Sequence, residues 1–288
     1  MVRKPVAVLS CLIALPMSFL TVNSAEAGTG GAADCGPGSL PDFSAGDFAA
    51  HPEVDNKWLP LEPGRRSEFN GTVTDLTSGT PEVHQHRVVS IVTGLTKVID
   101  GVRTVVLWDR DYTDGTLGES ELAFFAQSKK GDVWLLGEYP EEFEAGKFSG
   151  APNTFITGID DAHAGIAMQA HPKEGSAPYT QASAPAIDFL DCGQIVSREG
   201  SELKIDEFNP LDGAAAGHQQ KYYRAGLGSF KVTASSGDSQ EFLKLVKTTK
   251  LDQTELADVN ERAKAQDRHG YKVSPDVYGQ TARATDHS

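Results

Sequence analysis

From Phe69 to Lys250 the chain is written as short runs of β-branched and aromatic residues, each closed by a turn signal. This punctuation constrains the fold more than any other feature. Val83 to Ile99 is rich in Val, Ile and Thr, Asp100-Gly101 follows, and Val102 to Trp108 resumes the pattern. An Asp-Gly between two such runs is a strong hairpin signal, because a type I′ turn needs positive φ at both central residues. Asp111 to Gly115 reads as the next loop. Ser120 to Ser128 then carries Leu122, Phe124 and Phe125, and Lys130-Gly131-Asp132 turns the chain into Val133 to Tyr139. Strands resume near Ile195 and at 203–208, 221–224, 228–233 and 241–250. Successive strands joined by tight turns make an antiparallel meander, not alternating βα units.

Two stretches depart from this pattern. Residues 150–185, rich in Gly, Ala, Pro and Asp, read as a long structured loop. Asp252 and Glu255 form a capping pair ahead of Leu256 to Ala263, which predicts a C-terminal helix that Gly270 ends. The expected fold is one all-β domain, an antiparallel barrel or twisted sandwich over 55–250, with a short helix over 251–270 and a disordered tail over 271–288.

The first 27 residues read as an export signal. Arg3 and Lys4 precede an apolar run, and Ala25-Glu26-Ala27 supplies an A-x-A cleavage site. Cys11 lies inside that run rather than at its end, which argues against a lipidated cysteine. The run is short and broken by Pro16, which argues against a membrane anchor. The expectation is a secreted, extracellular protein of bacterial type, with residues 28–54 a flexible N-terminal segment. Cys35 and Cys192 then remain as a pair in an oxidising compartment, and a disulfide is their expected state. A formal charge of -14 and a pI near 5.0 argue against sequence-independent nucleic-acid binding and against acidic membrane surfaces as partners.

Candidate chemistry is sparse. Glu82, His84 and His86 alternate, so on a strand they share a face, and two imidazoles at i and i+2 suit zinc or copper. His163 and His171, in the long loop, are available to complete such a site. The competing reading puts His84 and His86 on the wet face of a half-exposed strand. Asp109, Asp111, Asp114, Glu119 and Glu121 crowd one hairpin; their spacing fails the EF-hand pattern, and a solvated acidic turn is the expectation. Glu138 shares strand parity with Trp134 and Leu136, so its carboxylate is expected among apolar side chains. Its pKa would then be raised, as a general acid requires. No nucleophile elbow, zinc-protease helix, phosphate loop or dinucleotide fingerprint occurs.

Several segments together carry a resemblance: Asp55 to Gly64, Lys97 to Val102, Val133 to Glu138, Gly158 through Tyr179, and Lys221 to Gly228. In this order they resemble a family of secreted bacterial β-rich proteins that has no established activity. The resemblance covers most of 55–250 and implies one all-β domain. It also implies that His84, His86, His163 and His171 are particular to this chain, and it directs attention to Glu138, Asp160, Met168, Tyr179 and Gln181.

Besides a purely structural or surface-interaction role, two functions follow as expectations. The first is a non-enzymatic protein that binds a small molecule or a cell-envelope component, with Trp134, Asp160, Met168 and Tyr179 as ligand-binding candidates under the long loop. The alternative is an enzyme, either a metal-dependent oxidase or hydrolase built on His84 and His86, or an acid/base enzyme using Glu138. Oligomeric state is not legible.

Overall fold

The computed structural model describes residues 35–212 and 216–287, so the stretch read as an export signal and the Gly-rich residues before Cys35 lie outside the described residues. Its strands are β1 (Arg65–Asp75), β2 (Glu82–Ile99), β3 (Val102–Thr113), β4 (Thr116–Gln127), β5 (Val133–Glu144), β6 (Lys147–Gly150), β7 (Phe155–Ile156), β8 (His163–Met168), β9 (Tyr179–Ala184), β10 (Phe189–Glu199), β11 (Glu202–Phe208), β12 (Gln219–Arg224), β13 (Gly228–Ala234), β14 (Ser239–Lys250) and β15 (Thr285–Asp286). One helix, α1 (Gln253–Val273), follows β14. The strands run in the order β1-β14-β13-β12-β11-β10-β9-β8-β5-β4-β3-β2, and β1 pairs with β2 to close a 12-stranded antiparallel barrel. Closure removes the free edges that an open sheet would expose.

The hairpin signals act as read. Asp100 and Gly101 have φ of 44° and 77°, and Asp114 and Gly115 repeat this between β3 and β4 at 50° and 80°. The stretch 150–185 is different from its expectation. It contains β8 and β9, full members of the barrel, which Gly- and Ala-rich composition disguises. Gly165 explains the composition, since a Cβ there would lie 2.4 Å from the Thr180 carbonyl oxygen.

Alternation sorts each strand into an inner and an outer face. Val105, Leu107, Ala123, Phe125, Val133, Leu135, Ile195, Leu203 and Ile205 form the apolar part of the interior. Residues 54–61 plug that end, with Val54, Trp58, Leu59 and Leu61 packed into the same cluster. Asn56 anchors the plug: its Nδ2 donates to the Gly131 carbonyl at 2.9 Å, and its Oδ1 accepts from the Trp58 amide at 2.8 Å.

Ile91, Val106, Trp108, Leu122, Phe124, Leu136 and Tyr139 face outward and are covered by α1 and the chain after it. Asp252 caps α1 in a full capping box with Glu255. The helix runs through Gly270, whose role is close packing: a Cβ there would lie 2.6 Å from the Tyr278 ring. Residues 278–280 form a 3-10 turn, and β15 pairs with β2, so the stretch expected to be a tail lies against the barrel. The segment after Cys35 is likewise seated, with Phe43 and Phe48 packed edge-on to Trp134. Cys35 and Cys192 are joined, tying this segment to the outer face of β10 across a separation of 157 residues.

Candidate functional site

Along several adjacent strands the interior lining changes from apolar to acidic at one level. On β3 the inward series is Val105, Leu107, Asp109, Asp111, and on β4 it is Phe125, Ala123, Glu121, Glu119 in matching register. On β11 it is Leu203, Ile205, Glu207; on β10 it is Ile195, Gly193, Asp191. Glu138 from β5, Glu241 from β14 and Lys221 from β12 complete the belt, and β2 contributes His86. Among the described residues the interior thus holds eight buried carboxylates (Asp109, Asp111, Glu119, Glu121, Glu138, Asp191, Glu207, Glu241) and two buried cations, His86 and Lys221.

This corrects the reading of the acidic hairpin as solvated. Asp109, Asp111, Glu119 and Glu121 are all buried, and only Asp114 of that group is exposed. Alternation in a closed barrel sends every second residue inward whatever its polarity.

His86 is clamped. Its Nε2 donates to Asp111 Oδ1 at 2.5 Å, and its Nδ1 lies 3.1 Å from Glu241 Oε1. Burial alone would push the imidazole pKa down; the two carboxylates overcome it and raise the pKa to about 10. In this arrangement His86 serves as counter-ion to Asp111 and Glu241. His84 shares its face but sits nearer the barrel end, where Nδ1 pairs with Asp114 at 2.8 Å. His163 and His171 are exposed on the outside of the molecule and are not brought to either. Among the described residues no group of three or more His, Cys, Asp or Glu has metal-binding geometry.

Glu138 is 2% exposed and faces the interior, whereas Trp134 and Leu136 face outward. Sequence parity misplaces it because of a β-bulge. Leu135 pairs with Phe125 and Gly137 with Phe124, so one residue of β5 is extra and the faces switch after it. The carboxyl is therefore surrounded by acids, not by apolar groups. Its pKa stands well above the usual range, first through burial and then through Glu121, Asp191 and Glu119, with a hydrogen bond to Glu121. Asp109 is raised by burial and Glu121, and Asp191 by burial and Glu207.

On the other side of the belt Lys221 Nζ lies 2.5 Å from Glu207 Oε2, and Gln181 Nε2 donates to Glu207 Oε1 at 3.3 Å. Tyr179 points into this group, with Glu207 and Asp191 acting on its phenol. Glu138 Oε1, Asp191 Oδ2, Gln181 Oε1 and the Tyr179 hydroxyl are buried without a hydrogen-bond partner. Buried oxygens without a partner are uncommon, and these four belong to this belt.

Of the ligand-binding candidates, Tyr179 alone reaches this belt. Met168 lies deep in the apolar, plugged end. Trp134 packs outside between Phe43 and Phe48, and Asp160 occupies an exposed left-handed turn at φ 50°. Asp191, Glu207, Lys221 and Glu241 were not singled out by sequence. Their only signal is a charged residue at an inward position of an otherwise alternating strand. Comparison with models of known protein families, with curated proteins and with solved structures returns no match.

Proposed function

We propose that this chain is a secreted binding protein that takes a small cationic molecule, an amine or a guanidinium, into the acidic belt of its barrel. The observation that supports it is the imbalance of eight interior carboxylates against two cations, with buried oxygens of Glu138, Asp191, Gln181 and Tyr179 that have no hydrogen-bond partner. A cation among them would replace proton-sharing with ion pairs and supply hydrogen-bond donors to oxygens that have none. Recognition by carboxylates, an amide oxygen and a phenol hydroxyl is the chemistry that suits an alkylamine or guanidinium head.

The test is calorimetric titration of the mature protein with 1,4-diaminobutane and with agmatine, in buffers of different ionisation enthalpy. Binding is expected to be tighter at pH 8 than at pH 5 and to release protons, since the occupant displaces them from raised-pKa carboxyls. Glu138→Gln and Asp191→Asn are expected to weaken it. Absence of binding for both probes, or binding without proton release, would overturn the proposal. Native mass spectrometry of protein purified without chelators tests for a retained occupant.

The hydrogen-bonded Glu121–Glu138 pair also supports a second reading, in which Glu138 donates a proton to a bound substrate. Under that reading Glu138→Gln abolishes turnover of a bound compound without weakening its binding.

A further inference from the structure

While α1 covers the outside of β2 to β5, the outside of β11 to β14 carries a row of cations. Strand pairing sets Lys204 opposite Tyr222, Tyr222 opposite Lys231, and Lys231 opposite Lys244. At about 4.8 Å between strands the row spans roughly 14 Å. It continues through Asn70 to Arg87 on the neighbouring strands. The ammonium groups lie over rings: Lys231 Nζ is 3.7 Å and Lys204 Nζ 5.5 Å from the Tyr222 centroid, and Lys244 Nζ is 5.2 Å from that of Phe242. Phe242 is 40% exposed and Tyr222 half-buried, so both rings reach the surface beside the ammonium groups.

Surface lysines usually serve solubility, but this arrangement does not fit that role. The chain carries 40 acids to 26 bases, so carboxylate partners are plentiful. The carboxylates of this face are nonetheless engaged elsewhere: Glu68 with Arg66 and Arg87, Asp206 with His218, and Glu202 with Arg224. Among the described residues Lys204, Lys231 and Lys244 make no ion pair, and like charges directly opposite in a sheet destabilise it. Although burial works in the opposite direction, a hydrogen bond with Thr233 and then the charges of Lys204 and Lys231 hold the Tyr222 phenol below its usual pKa.

From this face we infer a binding surface for an acidic polysaccharide. The lysines meet its carboxylate or sulfate groups, and Tyr222 and Phe242 stack against the apolar faces of its sugar rings. Charge complementarity selects a polyanion, and the flat aromatic rings between the charges select ring-shaped units. A nucleic acid fits less well, because its much denser phosphate charge meets repulsion from a molecule of net charge -14.

The experiment is binding of the mature protein to polygalacturonate and to chondroitin sulfate, with dextran, polyphosphate and single-stranded DNA for comparison. The two acidic glycans are expected to bind at low salt and weaken as salt rises. The Lys231→Glu/Lys244→Glu variant is expected to bind about tenfold more weakly. Tyr222→Ala should also weaken binding, whereas Tyr222→Phe should preserve it, and both variants should melt as the parent does. Failure of both glycans to bind would overturn the inference. So would polyphosphate or DNA binding as tightly as the glycans, or glycan binding unaffected by the lysine reversals or by Tyr222→Ala.

Discussion

His86 shows how a single side chain organises the interior. It is 2% exposed, contacts Asp111 and Glu241, and holds both against their mutual repulsion. Gln219 supports the far side by donating to Glu241 Oε2 at 2.6 Å. Replacing His86 by Ala leaves two buried carboxylates facing a void, and the expected cost is about 3–5 kcal/mol, by analogy with breaking a buried ion pair from one side. Chemical denaturation of His86→Ala against the parent measures it. Asp111→Asn in the same background should recover part of the loss, because it removes one of the stranded charges. Gly71 sits beside this centre and shows a different single-residue constraint. A Cβ there would fall 1.7 Å from the Phe242 carbonyl oxygen, so only glycine lets β1 and β14 close the barrel at that point.

Among the elements, α1 is held by more than its apolar face. Lys97 on β2 is fully buried, and its Nζ contacts Asp267 Oδ1 at 2.8 Å, the Ala282 carbonyl at 2.7 Å and the Tyr271 hydroxyl at 3.0 Å. Tyr278 also donates to Asp267 at 2.8 Å, so one carboxylate joins strand, helix and C-terminal segment. Gln266 performs a similar service between Trp108 and Ser120. Asp267→Ala strands the Lys97 ammonium in an apolar, aromatic setting. We expect a loss of about 3–5 kcal/mol, together with faster amide exchange in α1 and over residues 274–287. Exchange unchanged in both regions would show that apolar packing alone holds the helix. The weak amphipathicity of α1 in sequence follows from this arrangement, since Gln266 and Asp267 occupy the buried stripe.

For the whole molecule the acidic belt predicts an inverted dependence of stability on pH. Burial and neighbouring acids raise Asp109, Glu138 and Asp191 well above their usual values, and Asp111 rises to about 6. These groups hold protons in the folded state that the unfolded chain releases. Their stabilising contribution is complete below the unfolded carboxyl range near pH 4 and is lost as pH rises through the folded values. His86 acts in the same direction, from 6.5 unfolded to about 10 folded. The melting temperature is therefore expected to fall steadily from pH 5 to pH 9, and Glu138→Gln should flatten the acid side of that slope. A melting temperature that rises over this range would show that the belt is ionised and stably paired when folded. Glu62, Glu68 and Asp75 are lowered by their hydrogen-bonding partners, so their contribution is lost only as pH falls below the ordinary carboxyl range.

The β-branched runs and the Asp-Gly turns determine by themselves that β2 to β5 form a meander, because turn geometry and period-two alternation are local properties. The same holds for the capping box that starts α1. The pairing of Cys35 with Cys192 also follows from sequence once Cys11, the third cysteine, is set aside with the expected export signal. Other features depend on contacts distant in sequence. Hairpin pairing alone sets Asp109 opposite Glu121, but closure of β1 onto β2 turns alternating residues into an enclosed lining that also holds Asp191 and Glu207. The bulge that turns Glu138 inward is fixed by register across β4 and β5, which no single strand encodes. Gly165 and Gly270 read as a loop and a helix end until the backbone and the Tyr278 ring that approach them are in place. Local sequence sets what each segment can become, whereas the side on which a charge lands depends on which strands meet and in what register.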